Sequence, residues 1–105
     1  MALTYINIRG TVATGTTSYI KMDATKDNAT LQLLPVSGAT ATVHYTATDH
    51  GLWGSDGSGA IWEPVDTTYQ FTAQKTLHFS DKRITGLRIA SASEATKVDV
   101  LGSRP

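Results

Sequence analysis

The chain has no cysteine among its 105 residues, which removes disulfides, thiolate metal sites and thiol nucleophiles together. It has no excess charge of either sign: nine Lys and Arg balance nine Asp and Glu. The basic residues are scattered rather than clustered, so the electrostatic footprint of a nucleic-acid binder is missing. No apolar run approaches the roughly 18 residues that a membrane-spanning helix needs. Residues Met1 to Tyr5 do not form a basic region leading into an apolar stretch, so synthesis in the cytoplasm is expected. The strong helix formers Leu, Glu, Lys, Gln and Arg are sparse, whereas Thr and Ser are abundant, and β-branched residues favour strands.

The clearest positive feature is the two-residue alternation from Ala39 to Thr48, in which Ala39, Ala41, Val43, Tyr45 and Ala47 share one face. Successive strand side chains point to opposite sides, so this run predicts a half-buried antiparallel strand with a hydrated, hydroxyl-rich back. Further strands are expected at Leu3 to Arg9, ended by Gly10, at Ser18 to Met22, and at Thr30 to Leu34, closed by Pro35. Ala60 to Val65 reads as an edge strand because of Pro64, and Tyr69, Phe71 and Ala73 share a face. Lys75 to Ser80 follows with Leu77 and Phe79 inward and Thr76 and His78 outward, before a turn at Asp81 and Lys82. In Ile84 to Ser91, Ile84 is out of phase with Leu87 and Ile89, which predicts a bulge near Gly86. Lys97 to Leu101 closes the series with Val98 and Val100 inward.

Eight or so short strands at regular spacing, with no helical period, indicate an all-β fold. We expect one antiparallel β-sandwich domain over residues 1–105, jelly-roll-like in strand order, burying about 65% of its unfolded surface. The glycosylation pattern at Asn28, Ala29 and Thr30 is read as a chance match in a polar turn.

Catalytic groups are not found in any motif. His44 and His78 fall on polar strand faces and His50 in a glycine-rich loop, with no spacing that would converge on a metal ion. Asp49, Asp56, Asp66 and Asp81 each stand at a turn, where Asp caps nearby amides. Ser58, between Gly57 and Gly59, lacks the nucleophile-elbow context. Glu63, Glu94 and the turn aspartates offer no matched carboxylate pair. The expectation is a protein that is not an enzyme, with no metal, no cofactor, no nucleic-acid partner and no membrane partner.

The remaining candidates are Leu52 and Trp53, in the loop Asp49 to Gly59 that holds four glycines in eleven residues. An aliphatic and aromatic pair on an exposed loop is a typical anchor for a partner protein. The other reading is that the pair caps the open end of the sandwich. Trp62, in the following strand, is assigned to the core.

From Val43 onward the chain resembles the small all-β virion proteins of tailed bacteriophages. The resemblance rests on a strand ending in an aspartate, Val43 to Asp49, the loop Gly51 to Gly59, and the Trp-bearing strand Ala60 to Val65. It continues in two closing strands centred on Leu87, Arg88, Ile89 and on Val98, Asp99, Val100. It implies a structural role in the virion, as a capsid decoration (cement) protein or a small head or tail accessory protein. The implied partners are major capsid or tail subunits and other copies of this chain as a homo-oligomer. The alternative is a carbohydrate- or host-receptor-binding module, in which Trp53 and Tyr69 would stack on sugar rings.

Overall fold

The computed structural model describes residues 4–21, 28–80 and 84–104, and within them the alternating pattern resolves into nine strands. They are β1 (Thr4–Val12), β2 (Thr16–Lys21), β3 (Asn28–Pro35), β4 (Thr40–Thr46), β5 (Glu63–Pro64), β6 (Gln70–Phe71), β7 (Lys75–Ser80), β8 (Gly86–Ala92) and β9 (Thr96–Arg104). One 3-10 turn, His50–Leu52, is the only helical element among the described residues.

Every pairing is antiparallel. The first half of the chain pairs with the second in mirror order: β1 with β9, β2 with β8, β3 with β7, and β4 with β5 and β6. The chain is thus one long hairpin, rolled until β3 meets β9 and β4 meets β8. That winding leaves two sheets, ordered β1-β9-β3-β7 and β2-β8-β4-β5, with β6 also on β4. This is the jelly-roll order expected from the sequence.

The core lies between the sheets and follows the period of two. Leu31, Leu33, Val98 and Val100 line the inner face of the first sheet, and Ala41, Val43, Leu87 and Ile89 that of the second; all are buried. Phe71, Phe79, Val12, Ala29 and Ile84 complete the cluster, with Ile20, Tyr45, Val65 and Leu77 packed against it. Leu77 and Phe79 point inward as expected, while His78 is exposed and shares a hydrogen bond with Thr30 at 3.2 Å.

Several local expectations are corrected. Gly10 does not end β1, because it pairs with Val98 inside a nine-residue strand. Asn28 opens β3 rather than sitting in a turn. Near Gly86 the alternation does slip by one residue: Gly86 pairs with Thr46, the Thr85 amide also donates to the Thr46 carbonyl at 2.8 Å, and Ile84 and Thr85, ahead of β8, are both buried. Ala60 to Trp62 does not extend β5, which is limited to Glu63 and Pro64. Of Tyr69, Phe71 and Ala73, only Phe71 is buried, and only Gln70–Phe71 is strand. Met22 and the turn at Asp81 and Lys82 lie outside the described residues.

Candidate functional site

On the second sheet the outward positions are Tyr19 of β2, Gly86 and Arg88 of β8, and Thr42, His44 and Thr46 of β4. Tyr19 stands opposite Arg88, Arg88 opposite His44, and Gly86 opposite Thr46. The back of the alternating strand was expected to be hydrated. Instead Thr46 is fully buried, where residues 47–62 fold back over this face, and Thr42 and His44 are half-buried beside Gln70 and Tyr69.

That fold-back has identifiable fastenings. Asp49 accepts from the Gly51 amide and caps the 3-10 turn. The Trp53 indole N–H donates to the Thr48 carbonyl at 3.2 Å, and the Trp62 indole N–H donates to the Gly57 carbonyl at 3.1 Å. The two indoles meet edge to face with centroids 5.4 Å apart, a favourable aromatic geometry. Trp53 lies against Gly86, where an added Cβ would come within 2.5 Å of the ring. Lys21 donates to the Trp53 carbonyl at 2.8 Å and lies 4.5 Å from the ring centroid. Trp62 is covered in turn by Tyr19, 5.8 Å between centroids, and by the Arg88 guanidinium at 5.1 Å.

A hydroxyl relay anchors the base of the loop. The Thr48 amide donates to Thr46 Oγ1, the Ile61 amide donates to Thr48 Oγ1, and Thr85 Oγ1 donates to the carbonyls of Thr46 and Thr48. The loop glycines serve this packing. Gly57 has φ +82° and touches the Tyr19 ring, and Gly59 has φ +92° and touches the Leu52 carbonyl; a Cβ at either would come within 2.3 Å of its neighbour. Asp56 accepts from the Ser58 amide, which holds its carboxyl below the usual carboxylate range.

The two residues singled out from the sequence are therefore separated. Trp53 is only 4% exposed, so the expectation that its ring stands in solvent as an anchor is corrected: it caps the outer face of the second sheet. Leu52 is 68% exposed. Trp62 is likewise not in the inter-sheet core; it is half-buried in the outer cluster with Trp53. A residue the sequence reasoning did not single out, Ile61, is 74% exposed. Each tryptophan is turned in, and the aliphatic residue just before it is turned out. The repeated aliphatic-Trp pair was the available sequence signal.

No family model matches the chain, and neither does any curated protein. Among solved structures the fold is similar to a protein of the Bacillus endospore appendages, described as a novel family of disulfide-linked pili. The TM-score is 0.50 at 17% identity, covering 97% of this chain and 84% of that one. At that identity the likeness shows the fold alone.

Three other features complete the inventory. Beside the loop, His44 and Tyr69 meet at 5.4 Å between ring centroids, and burial together with the neighbouring Arg88 charge lowers the His44 pKa from its ordinary value. On β4, burial first and the adjacent Glu63 second raise the pKa of the Tyr45 hydroxyl. On the outer side of the first sheet, a hollow of about 520 Å³ crosses β1, β9 and β3. Its outward side chains are Thr11, Lys97, Asp99, Gln32 and Leu34, closed by Gln74 ahead of β7, and its surface is predominantly apolar. Among the described residues, no group of three or more His, Cys, Asp or Glu could hold a metal ion.

Proposed function

We propose that this chain is a structural subunit that works by assembling with further copies of itself into a particle or filament. The observation that carries the reading is the state of loop 47–62. It presents Leu52 and Ile61 to the outside while two indoles, two indole hydrogen bonds and a hydroxyl relay hold it against the sheet. Exposed aliphatics on a pre-organised surface lose little entropy on association, which is what an interface requires. The jelly-roll likeness to an appendage protein supports the reading, with one difference in chemistry. A chain without cysteine makes no disulfide links, so the assembly would be held by noncovalent contacts alone.

In its finer form the proposal is a virion component of a tailed bacteriophage, a capsid decoration or small head or tail accessory protein rather than an enzyme. It would be made in the host cytoplasm and carried on the particle. Support for this form comes from the sequence resemblance over Val43 to Val100. Light scattering after size exclusion, over a concentration series and with negative-stain microscopy of the peak, tests the general proposal. Discrete oligomers or filaments are expected. A monomer at every concentration would refute it.

The alternative reading, a carbohydrate- or receptor-binding module, is favoured by the tilted His44–Tyr69 pair beside Arg88 on one sheet face. Trp53 no longer contributes to it, because its ring is buried. A glycan array with hits lost in Tyr69→Ala would favour this reading over assembly.

A further inference from the structure

The loop and the hollow lie on opposite outer faces of the sandwich. The loop covers the second sheet through Gly86, Arg88 and Tyr19, whereas the hollow opens on the first sheet among Thr11, Lys97 and Leu34. One face carries projecting aliphatic side chains and the other an apolar depression. We propose that Leu52 and Ile61 of one copy seat in the hollow of a second copy, so that sandwiches stack face to face and head to tail. This deepens the assembly proposed above and rests on it.

Shape supports the pairing. The two indoles are in contact and Gly59 lies against Leu52, so Leu52 and Ile61 project from neighbouring points of the loop rather than from opposite ends. The hollow holds about 520 Å³, room for two branched aliphatic side chains. Leu34, 46% exposed at the hollow, supplies an apolar wall that is open to a partner. The molecule measures 42 × 30 × 24 Å, so a sheet face is on the scale of the ~800 Å² per partner that a standard interface buries.

Charge supports it too. Residues 47–62 carry Asp49 and Asp56 and no Lys or Arg, and Asp56 accepts from the Ser58 amide. The hollow itself is lined by one cation, Lys97, and one acid, Asp99. Lys97 lies in the hollow beside Leu34, and an acidic loop approaching it meets opposite charge.

A contact between two different surfaces is heterologous. It leaves a free loop at one end of the stack and a free hollow at the other, and so continues as a filament unless the rotation between copies closes a ring.

Two variants test this. Leu52→Asp/Ile61→Asp removes the projecting side chains and keeps the hollow; Leu34→Asp/Lys97→Glu spoils the hollow and keeps the loop. All four positions are exposed, and circular dichroism with thermal melting checks that both variants are folded. Sedimentation equilibrium of each alone should show a monomer, with self-association weakened by more than about tenfold. An equimolar mixture has one complementary pair of surfaces and should give a heterodimer and nothing larger. Wild-type protein that assembles while either variant assembles equally well would overturn this interface and leave the assembly proposal standing. Two monomeric variants whose mixture stays monomeric would also overturn it, since the intact loop of one and the intact hollow of the other would then have failed to pair. A wild type that is monomeric throughout would overturn both.

Discussion

Replacing Trp53 with alanine separates the cap from the anchor most directly. In the structure the ring is 96% hidden, packs edge to face on Trp62 and rests on Gly86 under the Lys21 ammonium, and its N–H is bonded to the Thr48 carbonyl. Burying an aromatic side chain of ~150–250 Å² at ~25 cal/mol/Å² corresponds to about 4–6 kcal/mol, which is an upper figure because the unfolded chain is not fully extended. The lost indole hydrogen bond adds about 1 kcal/mol, and collapse of a glycine-rich loop into the gap returns part of the total. The expected loss is therefore about 3–4 kcal/mol, a large share of the ~5–15 kcal/mol that stabilises a domain. Urea unfolding followed by circular dichroism should show the midpoint falling by about 2 M, given slopes of ~1–3 kcal/mol/M for small proteins. Leu52→Ala, at an exposed position, should stay within ~0.5 kcal/mol of wild type. A Trp53→Ala loss below ~1 kcal/mol, or one matched by Leu52→Ala, would refute the view that this ring fastens the loop to the sheet.

Gly86→Ala places a Cβ within 2.5 Å of the Trp53 ring, so it should cost about 1–3 kcal/mol by urea titration. Most of that cost should vanish in the Trp53→Ala background, and additive losses would show that the two residues do not share a contact. Ser93, at φ +72° in the β8–β9 turn, occupies a backbone region that suits glycine, and Ser93→Gly should raise the urea midpoint slightly whereas Ser93→Val should lower it. His44 titrates lower in the folded protein than in the unfolded chain, through burial first and Arg88 second. Below the ordinary value of 6.5 the unfolded state therefore binds more protons, and stability falls as pH drops from 6.5 to the lowered folded value. His44→Gln should flatten the unfolding midpoint over that window; an unchanged pH profile would count against the burial of the imidazole.

Legibility in the sequence followed the range of the interactions. The strand with the alternation at Ala39 to Thr48 appears as β4, and the inward phases of Leu77, Phe79, Val98 and Val100 hold, because side-chain direction in a strand is a local property. The mirror pairing of the two halves of the chain was expected only as a jelly-roll-like order, since any one short strand can pair with several others. Residues 47–62 were the least legible. Four glycines in eleven residues suggested an exposed coil, yet two of those glycines, Gly57 and Gly59, are required by close approach to Tyr19 and to the Leu52 carbonyl.

Composition and local alternation by themselves determined an all-β sandwich without thiol chemistry, because strand period and residue type act over a few neighbouring positions. Only the tertiary structure decided which members of the aliphatic-Trp pairs face solvent. Nothing within Leu52–Trp53 or Ile61–Trp62 says which side chain turns in. The choice is made by contacts from β2 and β8, where Lys21, Tyr19, Gly86 and Arg88 supply a bare patch and two cations for the indoles and leave the aliphatic residues outside.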